Sequence, residues 1–64
     1  MDLAIPDMTC GHCRASVTTA LLTLDPQARV EVDLPARRAR VDTTAPADAV
    51  IAALGDIGFD ARAI

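Results

Sequence analysis

Two five-residue stretches that alternate between apolar and charged side chains, only four residues apart, most constrain what this chain can fold into. Arg29-Val30-Glu31-Val32-Asp33 and Arg38-Ala39-Arg40-Val41-Asp42 have the two-residue period of half-buried strands, with the valines on the inward face. Leu34-Pro35-Ala36-Arg37 between them reads as a hairpin loop. Such a hairpin has one apolar face to cover, and the segments on either side change period to supply the cover. Upstream, Val17, Ala20, Leu21 and Leu24 fall at i, i+3, i+4 and i+7, which predicts a helix from about Gly11 to Leu24 that Asp25-Pro26 stops. Downstream, Pro46 suits a first helical turn and Asp48 lies where a carboxylate favours the positive end of the dipole. The inner face of that second helix is Ala47, Val50, Ile51 and Leu54, with an end near Ile57 and Gly58 as a left-handed cap. Gly55 offers an earlier stop.

The two ends of the chain complete the pattern. Leu3 and Ile5 share one face of a short opening strand that Pro6 terminates, because proline has no N–H for a ladder. Phe59 to Ile64 alternates as a closing strand with Phe59, Ala61 and Ala63 inward. The order strand, helix, strand, strand, helix, strand predicts an α+β, ferredoxin-like βαββαβ sandwich. In it a four-stranded antiparallel sheet carries two helices on one face. At 64 residues this is one domain, residues 1–64, burying about 60% of its unfolded surface and so only modestly stable. With right-handed crossovers, the loop after the first strand, the hairpin at Arg37 and the turn at Gly58 gather at one end.

Composition removes several function classes. The net charge is −3 and the basic residues are six scattered arginines, so no basic run invites nucleic acid. The one aromatic residue, Phe59, gives no stacking platform for unpaired bases. No apolar run approaches the roughly 20 residues of a spanning helix, and the first residues lack the pattern of a secretory signal. The expectation is a cytoplasmic chain with no nucleic-acid partner and no membrane insertion. Two cysteines in a reducing compartment point to metal or redox chemistry more than to a structural disulfide.

The chemistry is concentrated in Asp7-Met8-Thr9-Cys10-Gly11-His12-Cys13-Arg14. Thiols at i and i+3 can converge on one soft metal ion or close a disulfide between themselves. Cys13, near the first turn of the helix, faces unpaired N–H groups and the positive dipole end, which favours its thiolate. Gly11 is read as the residue that lets the loop turn tightly between the thiols. His12 is either a third ligand, particularly where two molecules share a metal, or a solvated loop residue that tunes thiol basicity. Met8 offers either a thioether or, more in keeping with its flexible apolar side chain, a plug beneath the loop. Zinc fits less well, since a structural zinc site takes four protein ligands and this loop offers two thiols and at most one imidazole.

Met8-Thr9-Cys10-Gly11-His12-Cys13, set between a first strand and a first helix, resembles the MTCxxC signature of heavy-metal-associated domains. These are the small copper chaperones and the amino-terminal domains of copper-transporting P-type ATPases. The resemblance extends over essentially the whole chain, including the Gly58-Phe59 pair before the last strand. It implies that Cys10 and Cys13 bind Cu(I) in a near-linear site, without enzymatic chemistry. The ion then passes to the paired cysteines of a partner, such as an ATPase metal-binding domain, through three-coordinate intermediates. It also implies a buried role for Met8 and a position close to the metal for Phe59. That position holds lysine in many chaperones, so phenylalanine blurs chaperone against pump domain. The span from Met1 to Ile64 points to a free-standing chaperone. At the loop end, Arg14, Arg37 and Arg38, with Asp7 and Asp56 nearby, are the expected docking residues for the partner. A metal-bridged homodimer is a further expected state.

Three other readings compete. Cys-Gly-His-Cys is also the active-site tetrapeptide of disulfide isomerases, but the chain resembles thioredoxin-like enzymes in neither length nor flanks. An inert docking module would bury its cysteines on an apolar face, whereas these lie in a loop and at a helix start. Mercury carriers and zinc or cadmium domains share similar motifs, so the sequence leaves the choice of soft metal open.

Overall fold

The computed structural model describes residues 1–64. Its elements are β1 (Asp2–Ala4), α1 (Gly11–Leu24), β2 (Arg29–Asp33), β3 (Arg38–Asp42), α2 (Ala47–Asp56) and β4 (Arg62–Ala63). The strands form one antiparallel sheet in the order β2-β3-β1-β4. In register, Leu3 lies opposite Ala39 and Ala63, and Val30 and Val32 lie opposite Val41 and Ala39. Directly opposed residues share a face, so these side chains make one apolar layer. Val17 and Leu21 of α1 and Val50 and Leu54 of α2 close over it, with Ile5, Met8 and Ala61 completing the buried core. This is the ferredoxin-like sandwich, with two helices on one side of a four-stranded sheet.

The other face of the sheet is charged and open. Asp2, Arg40 and Glu31 stand in one cross-strand row, and Arg38 faces Asp33 in the next. Opposite charges in register favour this pairing over a slipped one. The Arg40–Asp2 bridge of 3.2 Å is exposed on both sides; its contribution to stability is of order 0–1 kcal/mol.

Four expectations need correction. The closing strand is far shorter than Phe59–Ile64, because only Arg62 and Ala63 pair with β1. Continuing that register would bring Asp60 opposite Pro6, which has no N–H to offer. Ala63 is exposed although it shares a face with Leu3, since β4 is an edge strand the helices do not cover. Leu24, expected on the inner face of α1, is 39% exposed. It lines a shallow open groove with Ala20 and Thr23 of α1 and with Ala53, Asp56 and Ile57 at the end of α2, outside the buried core. Pro46 occupies the N-cap of α2 rather than its first turn. The opposite end of α2 follows expectation, with Gly58 at φ +90° just past the helix.

The hairpin brings an unexpected conformation. Arg37 adopts φ +55°, the left-handed region that residues with a Cβ seldom occupy, at a cost on the order of 1 kcal/mol. Its carbonyl accepts the Ile5 N–H at 2.9 Å, which ties the hairpin to the end of β1. At the other end of the molecule, Asp25 accepts the Thr43 hydroxyl at 2.6 Å and the Gln27 N–H at 3.1 Å, joining the α1–β2 and β3–α2 connections.

Candidate metal centre

The loop from Pro6 to Cys10 is fixed from below and from both sides. Met8 is fully buried, and its N–H donates to the Ile5 carbonyl at 3.1 Å, so the chain folds back over its own side chain. Thr9 and Cys10 are then lifted to the surface. Cys10 is the N-cap of α1, in extended conformation at φ −146° and ψ 169°. Its carbonyl accepts the first intrahelical bond from the Arg14 N–H at 3.1 Å. Its Sγ accepts the Cys13 N–H at 3.5 Å, the contact an N-cap serine or aspartate makes to the third helical residue. One thiol therefore serves the fold and the site together, which the usual capping preferences did not reveal, since cysteine is not among them.

Cys13, half-buried and in contact with the core, lies one helical turn from Cys10. The two Sγ atoms are 3.2 Å apart, at hydrogen-bond distance. The Thr9 backbone N–H, and after it the hydrogen bond with the Cys10 thiol, hold the Cys13 thiol below its ordinary pKa. The direction agrees with the sequence expectation, with the Thr9 amide just ahead of the N-cap as the largest cause. With a metal–thiolate bond on the order of 2.3 Å, a linear sulfur–metal–sulfur unit spans about 4.6 Å. The sulfurs must therefore open by roughly 1.4 Å, which rotation of the exposed Cys10 side chain can supply. Closing a disulfide would need an opposite movement of roughly 1.2 Å, to the S–S length near 2.05 Å.

The donor set ends with the thiols. No group of three or more His, Cys, Asp or Glu side chains converges anywhere in the chain, and His12 is exposed on the first turn of α1. Two sulfurs without a third ligand suit a soft ion of low coordination number and do not suit tetrahedral zinc. Gly11 has an ordinary negative φ, and a Cβ built there meets nothing within 4 Å. The loop therefore does not require glycine for its turn; the position faces open space.

Of the remaining expected residues, Phe59 is half-buried against the core, with its N–H bonded to the Leu54 carbonyl at 2.9 Å. Register places Asp60 beside Pro6, so the Gly58-Phe59 turn sits at the loop end of the molecule. Arg14 and Arg38 are exposed and make no side-chain hydrogen bond or ion pair. Arg37 differs from them, because its guanidinium donates to the Pro6 carbonyl at 3.4 Å. No helix is long and apolar enough to cross a membrane.

Comparison with known proteins agrees with this geometry. A crystallised gold binding protein is 42% identical, with a TM-score of 0.94 over 97% of this chain and 95% of that one. The copper chaperone Atx1 from Synechocystis PCC6803, in a trimeric form, superposes with a TM-score of 0.94 at 26% identity, covering 97% of this chain and 98% of its own. The yeast copper transporter domain CCC2A gives 0.86 at 28% identity, over 98% of this chain and 90% of that one. No curated protein matches the chain. Residues 2–60 fit the heavy-metal-associated domain, and with its strand, thiol loop and helix so arranged the chain belongs to that family.

Proposed function

We propose that this domain carries Cu(I) on the thiolates of Cys10 and Cys13 and hands it to the paired cysteines of a partner. The metal-binding domain of a copper-transporting P-type ATPase is the partner class this reading favours. The observation that carries it is the pair of sulfurs 3.2 Å apart on an accessible loop with no third ligand beside them. A two-sulfur site leaves coordination positions open. An incoming partner thiolate adds to the ion and makes it three-coordinate. One domain sulfur then leaves, and the second exchange completes transfer. Because the Cys13 thiol is already held below its ordinary pKa, loading displaces less proton there than from an unperturbed thiol.

In this reading Met8 shapes the loop from beneath, Gly11 leaves room for the incoming sulfur, and Phe59 shields the site from the core side. His12 is accessory. Arg14 and Arg38 are free to orient an acidic partner, and the same open coordination would let two loaded copies share metal as a bridged homodimer. The chemistry requires reduced thiols, which fits the cytoplasm. A second reading, Au(I) as cargo, is favoured by the 42% identity to the gold binding protein; the two ions share softness and a preference for two sulfurs. Titration of the reduced protein with Cu(I), Au(I), Zn(II) and Hg(II) in competition, with X-ray absorption to count sulfur neighbours, tests both. Two sulfurs per Cu(I) and preference over Zn(II) are expected. Tighter Au(I) at matched competitor concentration would move the assignment to the second reading, and absence of Cu(I) binding would overturn the first.

A further inference from the structure

We infer that Arg37 is a positioning residue for the metal loop, not a free docking arginine. The inference rests on the assignment of Cys10 and Cys13 as the metal pair. Three observations converge on Arg37. It holds a left-handed backbone, φ +55°, where glycine or asparagine would be at less cost. That backbone turns its carbonyl onto the Ile5 N–H at 2.9 Å. Its guanidinium reaches past Ile5 to the Pro6 carbonyl at 3.4 Å, the last backbone acceptor before the segment that carries Met8 and Cys10. A residue strained in its own conformation and bonded twice to one neighbouring segment points to a role for its side chain.

The Pro6 carbonyl has little else to hold it. Pro6 itself donates nothing, and β1 has ended at Ala4. The guanidinium is therefore the clamp on the start of the loop, while Met8 is the clamp beneath it. The sulfurs must separate to take a metal ion and close again once it has left, and a loop tethered at Pro6 restricts that motion to the thiol side chains. Arg38, the next residue, has the same charge and exposure but bonds to nothing in the loop. It is the natural control.

The test compares wild type, Arg37→Asn and Arg38→Gln. Asparagine tolerates the left-handed conformation, so Arg37→Asn keeps the hairpin and removes only the reach to Pro6. In the metal-free proteins, amide hydrogen exchange at Met8, whose N–H is held by the Ile5 carbonyl, is expected to rise by about threefold to tenfold in Arg37→Asn, the equivalent of one net hydrogen bond, and to stay unchanged in Arg38→Gln. In the Cu(I)-loaded proteins, loss of metal to excess dithiothreitol is expected to accelerate in Arg37→Asn alone. Equal effects from both variants would assign the change to bulk charge and overturn the inference, as would unchanged exchange in Arg37→Asn. Arg37→Gly guards against a folding artefact, since it relieves the strained backbone; it should keep the urea midpoint at or above that of Arg37→Asn and still free the loop. Failure of wild type to bind Cu(I) would sink the metal assignment, while the exchange measurements still decide the tether.

Discussion

Replacing Met8 separates a plug from a ligand. Its side chain is fully buried under the thiol loop, and Met8→Ala removes two methylene or methyl groups and one sulfur from the packed interior. At about 0.8 kcal/mol per buried carbon-sized group the transfer loss is about 2.4 kcal/mol. With the cavity left behind, the total falls within the range of about 2–5 kcal/mol found for such truncations. A chain of 64 residues has roughly 3–10 kcal/mol of stability in all, at about 0.05–0.15 kcal/mol per residue. Met8→Ala thus takes roughly a quarter of the stability or more. Met8→Leu conserves volume and removes the sulfur, and should cost under about 1.5 kcal/mol. With a urea slope near 1 kcal/mol/M, typical of a small domain, the midpoint should fall by about 3 M for alanine and by under about 1.5 M for leucine. Cu(I) affinity, measured beside the urea curve, should be retained by Met8→Leu. An alanine variant as stable as wild type, or a leucine variant that folds and loses the metal, would refute the packing argument and make the thioether a ligand.

Four further outcomes follow from the same geometry. Cys10→Ser with Cys13→Ser should keep the circular dichroism of the fold, since serine also caps helices, while Cu(I) binding is lost; tight binding by the double variant would rule out the two-thiolate site. His12→Ala should weaken Cu(I) less than loss of either thiol, judged by competition against a chromophoric chelator. Gly11→Ala places a methyl in open space on the first turn of α1 and should raise stability by about 0.4–1 kcal/mol, read as a higher thermal midpoint with unchanged Cu(I) affinity. Asp25 has its carboxyl pKa lowered by the Thr43 hydroxyl first and the Gln27 N–H second. A depressed native pKa gives stability that is complete above the unfolded value, near 3.9, and lost as pH falls through the lower native one. The stability gap between wild type and Thr43→Val should accordingly narrow in urea curves taken at pH 3 relative to pH 6.

The elements that periodicity marks clearly are those whose burial is decided within a few residues. Val30, Val32 and Val41 announce the hairpin, and Val17, Leu21, Val50 and Leu54 announce the covering helices, because each lies in the middle of its element. Leu24 and Ala63 mislead for the opposite reason. Their phase is correct, but Leu24 lines an open groove beside α2 and Ala63 lies on an edge strand with no helix above it, and phase carries no information about what neighbouring elements cover. At the site, the cysteines are legible from spacing and chemistry, and Met8 from its place in the motif. Three facts lie beyond local reading: Cys10 as a sulfur N-cap, Thr9 as the leading influence on Cys13, and Arg37 bent back to Pro6. Each depends on a backbone conformation or on a contact between residues distant in the chain.

Every fully buried side chain is apolar, and none of the buried side-chain polar atoms lacks a partner. The interior and the donor pair are consequently two modules joined at three points: Met8, the half-sunken Cys13 and the Cys10 sulfur that caps α1. A designer could repack Leu3, Val41 or Leu54 for heat tolerance without touching the sulfurs, whereas any new donor at position 10 must also cap α1.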